Sequence, residues 1–357
     1  MEKKVLIAGG YGTVGSQIAK ILHDQNQELQ LLLGGRHPGK PLPFASPRLH
    51  SLFVDTTAQD PLAHAPDDLS LIINAVNDPD DSLLLAAVSR RIPVVDITRW
   101  TERFTRAIER LSKSELQSPV VLTSGWMAGT PALFGKLHAA DLQDVTIDIF
   151  ALYAMQDKAG PDSAAYMNRL TIPFDIYTKG AARTVLPMSE PLAVTFPGGF
   201  RTNCYRLDTP DHLTLVQVPS VTSAIFRIAF DQKWATTALV SLVRSGIWKL
   251  LGQKLRQSIL YNPGQGAAHE VVVQIAGRDQ RGVRIRRQVE ISDPNGQTHL
   301  TATGAAIQAQ RILADKGTAA TPGLFFPESL AASQADEPWI TAYYEAEGVN
   351  IRVKQLS

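Results

Sequence analysis

The sequence predicts an α/β chain of two parts: a doubly wound parallel-sheet domain, followed by an α+β domain with a largely antiparallel sheet. Three observations predict it. A glycine-rich turn directly follows the first apolar run, further apolar runs alternate with helical stretches up to about residue 125, and strand-like runs dominate beyond Pro131.

The first run is Val5-Leu6-Ile7-Ala8. The turn Gly9-Gly10-Tyr11-Gly12-Thr13-Val14-Gly15 then feeds a helix whose apolar residues Val14, Ile18, Ile21 and Leu22 share one face. Gly10-x-Gly12-x-x-Gly15 is the dinucleotide fingerprint of a Rossmann domain. Gly10 permits the tight turn, Gly12 lets the backbone approach a pyrophosphate, and Gly15 lets helix and strand pack closely. Helix N–H groups and about half a positive charge from the dipole then face the phosphates. A glycine-rich turn without a ligand is the competing interpretation, weakened by the strand before it and the amphipathic helix after it.

The second run, Leu29–Leu33, ends in Gly34-Gly35-Arg36-His37. A NAD site normally places Asp or Glu here to hold the ribose 2′-OH. Glycines followed by Arg36 fit a 2′-phosphate instead, so the expected cofactor is NADP, held by Gly35, Arg36 and His37. The alternative is that Arg36 is an ordinary surface charge.

A loop carrying Pro38, Pro41, Pro43 and Pro47 leads to a third run, Leu49–Asp55. Asp55 stands at the carboxyl end, where doubly wound sheets place ligands. It either touches the adenine or caps the following turn. Leu69–Ala75 is apolar enough to be buried on both faces, and it ends in Asn74-Ala75-Val76-Asn77, close to the expected pyrophosphate and nicotinamide ribose. A helix over 81–91, a strand Ile92–Asp96, a helix over 100–116 and a strand Pro119–Thr123 complete a nucleotide domain of residues 1–125.

For the second domain, 126–299, the patterns predict a helix over 132–140, a strand over 145–155 and an irregular stretch over 156–178. Strands follow at 192–196, 213–218, 223–230, 270–275 and 283–291, interrupted by a helix over 234–251. Alternation is clear in 283–291, the mark of a sheet with one wet face. A helix rich in small residues runs over 300–314 and stops near Gly317, and 349–353 has strand character.

Bulk composition narrows the function. The chain has 357 residues, 44% hydrophobic and 19% charged, with a formal net charge of +1, so no basic field recruits nucleic acid. A single cysteine, Cys204, rules out an internal disulfide and a Cys-based metal site, and the eight histidines show no His-x-x-x-His pair, so no metal is expected. The opening Met1-Glu2-Lys3-Lys4 leaves no room for a signal peptide, so a cytoplasmic location is expected. The 234–251 stretch, with Arg244 and Lys249, is too short and too charged to span a bilayer; an amphipathic helix lying on a membrane surface stays open.

The whole chain resembles the saccharopine dehydrogenase (saccharopine reductase-like) family. The likeness rests on Gly9–Gly15, Gly34-Gly35-Arg36, Val94-Val95-Asp96-Ile97-Thr98, Ser124-Gly125-Trp126 with Gly129-Thr130-Pro131, and the later Thr301–Ala306, Pro322-Gly323 and Pro327-Glu328. The resemblance implies a homodimer whose second domain provides dimerisation and substrate contacts, with the closing segment 300–357 packing back on the nucleotide domain. It implies NADPH-dependent formation or cleavage of a secondary amine: an amino acid condensed with an oxo acid, then reduced at the C=N bond. Some relatives reduce other imines, and some reduce C=C bonds of lipid-like substrates. No arginine cluster of the second domain matches a dicarboxylate site residue for residue.

Imine chemistry needs a proton for nitrogen and an anchor for any carboxylate. Asp96 can orient the imine nitrogen or the nicotinamide ribose, or simply cap a helix or a turn. Arg99 can clamp a carboxylate with a bidentate pair, or lie on the surface. Trp126 walls the nicotinamide or fills the core. Tyr153, Tyr166 and Arg169 are candidate proton donors or anchors, His212 a candidate acid near neutral pH, and Cys204 a small buried hydrophobe. Three functions remain open on the residues: an imine reductase acting on a small amino-acid-derived substrate, an enoyl reductase, and a non-catalytic NADP-binding sensor.

Overall fold

The structure is a computed structural model, and it describes the chain except Met1, Gly125, 159–165, 179, 253–254, 257–263, 315–320, 331–333 and Ser357. The expected helix stop near Gly317, part of the 156–178 stretch and the Gly125 of the crossing motif lie outside the described residues. The chain divides into two compact units, Met1–Gly129 with Thr301–Ala331 and Thr130–Leu300 with Ala332–Ser357.

The first unit is built on a seven-stranded parallel sheet. Its strands are β1 (Lys3–Ala8), β2 (Leu29–Gly35), β3 (Leu49–Phe53), β4 (Leu69–Asn74), β5 (Val94–Arg99), β6 (Pro119–Ser124) and a short strand Gly323–Phe325. The order runs from Gly323–Phe325 through β6, β5, β4, β1 and β2 to β3. Val5, Leu6, Ile7 and Ala8 of β1 are wholly buried, as a central strand covered on both faces requires. Helices α1 (Thr13–Gln25), α2 (Ser82–Ser89) and α3 (Thr101–Leu111) make the crossovers after β1, β4 and β5. The links from β2 to β3 and from β3 to β4 carry no helix. Four prolines between residues 38 and 47 explain the first of these, because proline cannot sit in a helix interior. The strand Gly323–Phe325 was not foreseen: three residues give no alternation to read, and the strand forms by pairing with Pro119–Val121.

The second unit carries β7 (Gln143–Tyr153), β8 (Phe174–Thr178), β9 (Ala181–Val185), β10 (Leu192–Thr195), β11 (Arg201–Arg206), β12 (Val221–Phe230), β13 (His269–Arg278) and β14 (Arg284–Asp293), with a tail strand Asn350–Leu356. The main path is β10-β11-β12-β7-β13-β14-tail, and β8 with β9 attaches at β12. Only β7 and β12 pair in parallel along this sheet; every other pairing is antiparallel. Its helices are α4 (Thr130–Leu137), α5 (Lys233–Arg244), α6 (Gln297–Leu313), within which the boundary between units falls, and α7 (Glu337–Ala346). Phe150, Val194, Phe196, Cys204 and Val272 form one of its buried clusters.

Four expectations are corrected. The 213–218 stretch is helical, Asp211–Thr214 followed by a turn at Leu215–Gln217; its apolar alternation is overridden by Pro210-Asp211, a helix-start signal. Within the irregular 156–178 stretch, 174–178 is a strand that pairs with β9. The 234–251 helix breaks at Gly246, whose φ of +78° ends α5 and starts a single turn at Ile247–Leu250. The closing segment splits: 301–331 belongs with the first unit, whereas the tail strand pairs along β14 in the second.

Candidate functional site

At the end of β1 the chain turns on its glycines. Gly9 has a φ of +80°, and its N–H donates to the Gly34 carbonyl at 2.9 Å. Gly10 N–H donates to the Ile7 carbonyl at 3.0 Å, and Gly12 N–H to the Gly9 carbonyl at 2.8 Å. A Cβ at Gly9 would meet the Ala75 carbonyl oxygen at 2.7 Å, and one at Gly10 would meet the Leu33 side chain at 2.8 Å. A Cβ at Gly15 would drive into the Gly9 backbone. Gly12 differs: the nearest atom is the Gly9 oxygen at 3.1 Å, with nothing else within 4 Å. Three of these glycines are therefore required by the chain's own packing, while Gly12 leaves space in front of α1. Thr13 and Val14 open that helix, and no side chain caps its N-terminus, so its first N–H groups point outward unfilled by the helix itself.

At the end of β2, a Cβ at Gly34 would strike Val54 at 2.9 Å, which excludes an acidic side chain there. Gly35 lies under the Tyr11 ring, 3.2 Å from where its Cβ would be, and Tyr11 Oη reaches the Pro38 carbonyl at 3.4 Å. Arg36 and His37 are exposed. Asp55 accepts from Thr57 N–H at 3.0 Å and Thr57 Oγ1 at 2.8 Å, so it caps the turn after β3. Those bonds, with the nearby Arg36 charge, hold its carboxyl below the usual range.

At the ends of β4 and β5 the structure brings Asn74, Asp96 and Arg99 together. Asp96 Oδ2 accepts from Asn74 Nδ2 at 3.1 Å, Arg99 Nε at 3.0 Å and Arg99 Nη2 at 2.7 Å; Oδ1 accepts from the N–H and hydroxyl of Thr98, both at 3.0 Å. Burial pushes the Asp96 carboxyl up, but the Arg99 charge and these bonds outweigh it and hold it below its ordinary range. Arg99 is wholly buried, neither a surface charge nor open to an incoming carboxylate: its remaining nitrogen binds Asp81 and the Arg103 carbonyl. Asn74 Oδ1 accepts from Val76 N–H at 3.3 Å, and Ala75 N–H donates to the Ala8 carbonyl at 2.9 Å, which ties Asn74, Ala75 and Val76 to the glycine turn.

A wider charged cluster surrounds this pair, and sequence reasoning did not single it out. Arg103, Arg106 and Arg110 of α3 bind the 77–81 loop: Arg103 holds Asn77 and the Asp78 carbonyl, Arg106 reaches Asp81 at 3.0 Å, and Arg110 reaches it at 3.1 Å. The signal was present as arginines spaced three and four apart on one helix. Asp78 caps α2 by accepting from Leu84 N–H at 3.2 Å; burial raises its carboxyl, and its Oδ1 has no partner among the described residues.

After β6 the backbone is strained. Met127, Ala128 and Gly129 all have positive φ, at 53°, 47° and 75°. Two of these are side-chain-bearing residues in the left-handed region, a conformation held only where surrounding packing fixes it. Trp126, just before them, is 4% exposed, and its backbone N–H donates to Ser124 Oγ at 3.2 Å.

Tyr153, Tyr166 and Arg169 lie in the second unit. Tyr153 ends β7 edge-on to Phe230, and burial together with Asp157 pushes its hydroxyl up to about 12. Tyr166 and Arg169 converge on Asp208, the hydroxyl donating to its carbonyl at 2.6 Å and the guanidinium reaching its carboxylate at 3.4 Å. His212 is buried, with its two ring nitrogens 2.8 Å and 3.2 Å from the Leu207 and Ala224 carbonyls. Burial pushes the Cys204 thiol up to about 12. Among the described residues no group of three His, Cys, Asp or Glu is arranged to hold a metal, and no helix is long and apolar enough to cross a membrane.

No protein-family model matches the chain, and no curated protein matches it. Solved structures do. A meso-dapdh mutant with DAP from Clostridium tetani is 12% identical, with a TM-score of 0.47 over 96% of each chain. A dipicolinate-bound dihydrodipicolinate reductase from Paenisporosarcina is 11% identical, with a TM-score of 0.41 over 91% of this chain and 98% of that one. Apo saccharopine dehydrogenase (L-Glu forming) from Saccharomyces cerevisiae is 15% identical, with a TM-score of 0.68 over 99% of this chain and 100% of that one. The chain is thus similar in fold to saccharopine dehydrogenase along its whole length.

Proposed function

We propose that the chain is a cytoplasmic, homodimeric NADP-dependent oxidoreductase of the saccharopine dehydrogenase type, transferring hydride to or from the C=N bond of an amino-acid-derived substrate. One observation carries this proposal: Gly12 is the glycine of the turn whose missing Cβ leaves open space, directly before the uncapped start of α1. A phosphate group fits there by charge and by available donors. Glycines at the end of β2, with exposed Arg36 and His37 after them, suit an additional phosphate better than a ribose hydroxyl.

The bound coenzyme supplies the hydride chemistry. The chain's own residues bind and orient. Gly9 to Gly15 take the pyrophosphate, and Gly35, Arg36 and His37 the 2′-phosphate, with Asp55 at the edge of the adenosine site. The Asp96–Arg99 pair fixes the ends of β4 and β5, holding Asn74, Ala75 and Val76 in register with the turn. Trp126 walls the reacting region. On the second unit, Tyr153 keeps its proton at neutral pH, as a proton donor must, and Arg169, held beside Tyr166 by a long 3.4 Å contact with Asp208, is the proposed carboxylate anchor.

Titrating NADPH and NADH by fluorescence tests the cofactor: NADPH binds tighter, and Arg36→Ala erases the preference. Equal affinities in the wild type would refute NADP selectivity. A panel of amines paired with oxo acids, followed by NADPH absorbance, tests the reaction. Silence there, with turnover of enoyl substrates, would transfer the function to C=C reduction.

A further inference from the structure

The helix–turn pair at 233–250 carries several large apolar side chains in the open. Trp234 is 68% exposed and Leu250 84%, and Ile247 and Leu255 are also exposed. Trp234, Thr237, Ala238, Ser241 and Ser245 recur on one exposed face of α5 and just beyond it, and none of them is charged. Trp248 is wholly buried and anchors the Ile247–Leu250 turn, so that Ile247, Lys249 and Leu250 point outward around it.

The charged side chains of this segment itself are all basic, with half-buried Asp231 just ahead of it. Between Gln232 and His269 the sequence contains no Asp or Glu, although the chain as a whole has 35 basic and 34 acidic residues. Lys233, Arg244, Lys249 and Arg256 all lie in this stretch, and Arg201 of β11 shares with Lys233, Thr236 and Thr237 a recess of about 340 Å³. Lys233 stands in the first turn of α5, where the helix dipole disfavours a cation, so its place there is not explained by helix stability. Two of these cations also have local contacts: Arg256 donates to the Leu251 carbonyl at 2.8 Å, and Lys233 Nζ lies 5.6 Å from the centre of the Phe200 ring.

We propose that this surface docks on an anionic lipid bilayer. Exposed tryptophan and aliphatic tips beside lysine and arginine are what an interfacial helix presents: the apolar tips enter the acyl boundary while the cations stay among the headgroup phosphates. A second copy of the chain is disfavoured as occupant, because a two-fold interface through this patch would oppose cation to cation. A nucleic acid would use the cations but leave Ile247 and Leu250 without a role.

Sedimentation of the full chain with vesicles tests the proposal, using phosphatidylcholine alone and phosphatidylcholine mixed with phosphatidylglycerol. The chain co-sediments with the anionic vesicles, less so as salt rises, and much less with the neutral ones. Leu250→Asp and Lys249→Glu each lower partitioning about tenfold or more, with an unchanged melting temperature. Absence of vesicle binding at low salt overturns the proposal. So does self-association of the wild type that Leu250→Asp abolishes without any effect on vesicles, or binding to duplex DNA in place of vesicles. Coenzyme affinity is measured in parallel, so the proposed redox role and the docking surface stand or fall separately.

Discussion

Arg99 closes on one oxygen of Asp96 with two of its nitrogens, at 3.0 and 2.7 Å, and neither side chain has any exposed surface. A buried pair of this kind costs desolvation on both sides, and it holds only while both partners remain. Arg99→Met leaves Asp96 buried without its main counter-charge and weakens the hold on Asp81. The expected loss is about 3–5 kcal/mol, read from the urea midpoint. Adding Asp96→Asn recovers part of that loss; strictly additive effects would show that the two residues are not coupled.

Gly12 and Gly15 separate binding from folding. Gly15→Ala puts a methyl group against Gly9 and Gly10 backbone atoms and is expected to destabilise by about 1–3 kcal/mol. Gly12→Ala meets only the Gly9 oxygen at 3.1 Å, and its φ of −78° suits any residue. Stability then changes by about 1 kcal/mol or less, while NADPH affinity falls about tenfold or more as the methyl occupies the phosphate approach. Calorimetry with and without NADPH distinguishes the two.

These contrasts show what the sequence made legible. The turn at Gly9–Gly15 was readable because its geometry is dictated locally: each glycine answers to atoms within a few residues or on the adjoining strands. The Asp81–Arg99 contact was not readable, because its partners are 18 residues apart and meet only once β5 and the α2 loop are placed. Arg99 was left between a clamp for an outside carboxylate and a surface charge; it is neither, because Asp81 and Asp96 of the chain itself take up its guanidinium. In 213–218, alternation pointed to a strand, but Pro210 with Asp211 decided for a helical turn. Gly323–Phe325 becomes a strand only because β6 offers an edge.

Asp78 provides a substitution that should help. Burial raises its carboxyl, Leu84 N–H uses one oxygen, and the other has no partner among the described residues. A raised folded-state pKa means that stability is greater when the group is protonated and is lost as pH rises through the carboxylate range toward that raised value. Asp78→Asn keeps an acceptor for Leu84 and removes the buried charge. At neutral pH it is expected to be neutral or stabilising by about 1 kcal/mol, and to flatten the pH dependence on the acid side. A clear loss of stability would show that the carboxylate charge is itself needed by the arginines of α3.

Two histidines of the second unit titrate in opposite directions. Burial pushes His269, at the start of β13, down to about 4, against an ordinary value near 6.5. Its unfolded form therefore takes up a proton first, and stability is lost as pH falls from about 6.5 toward 4, by about 3 kcal/mol in all. For His299, burial opposes the charge, but its 2.8 Å contact with Asp293 and that carboxylate's charge outweigh burial and raise its pKa. Its stabilisation is complete below about pH 6.5 and is lost as pH rises through the raised value. Urea unfolding between pH 4 and pH 8 separates them. His269→Asn flattens the slope below about 6.5, and His299→Gln flattens the slope above it. An unchanged acid slope in His269→Asn would show that this ring is charged, or already relieved of its burial, in the folded chain.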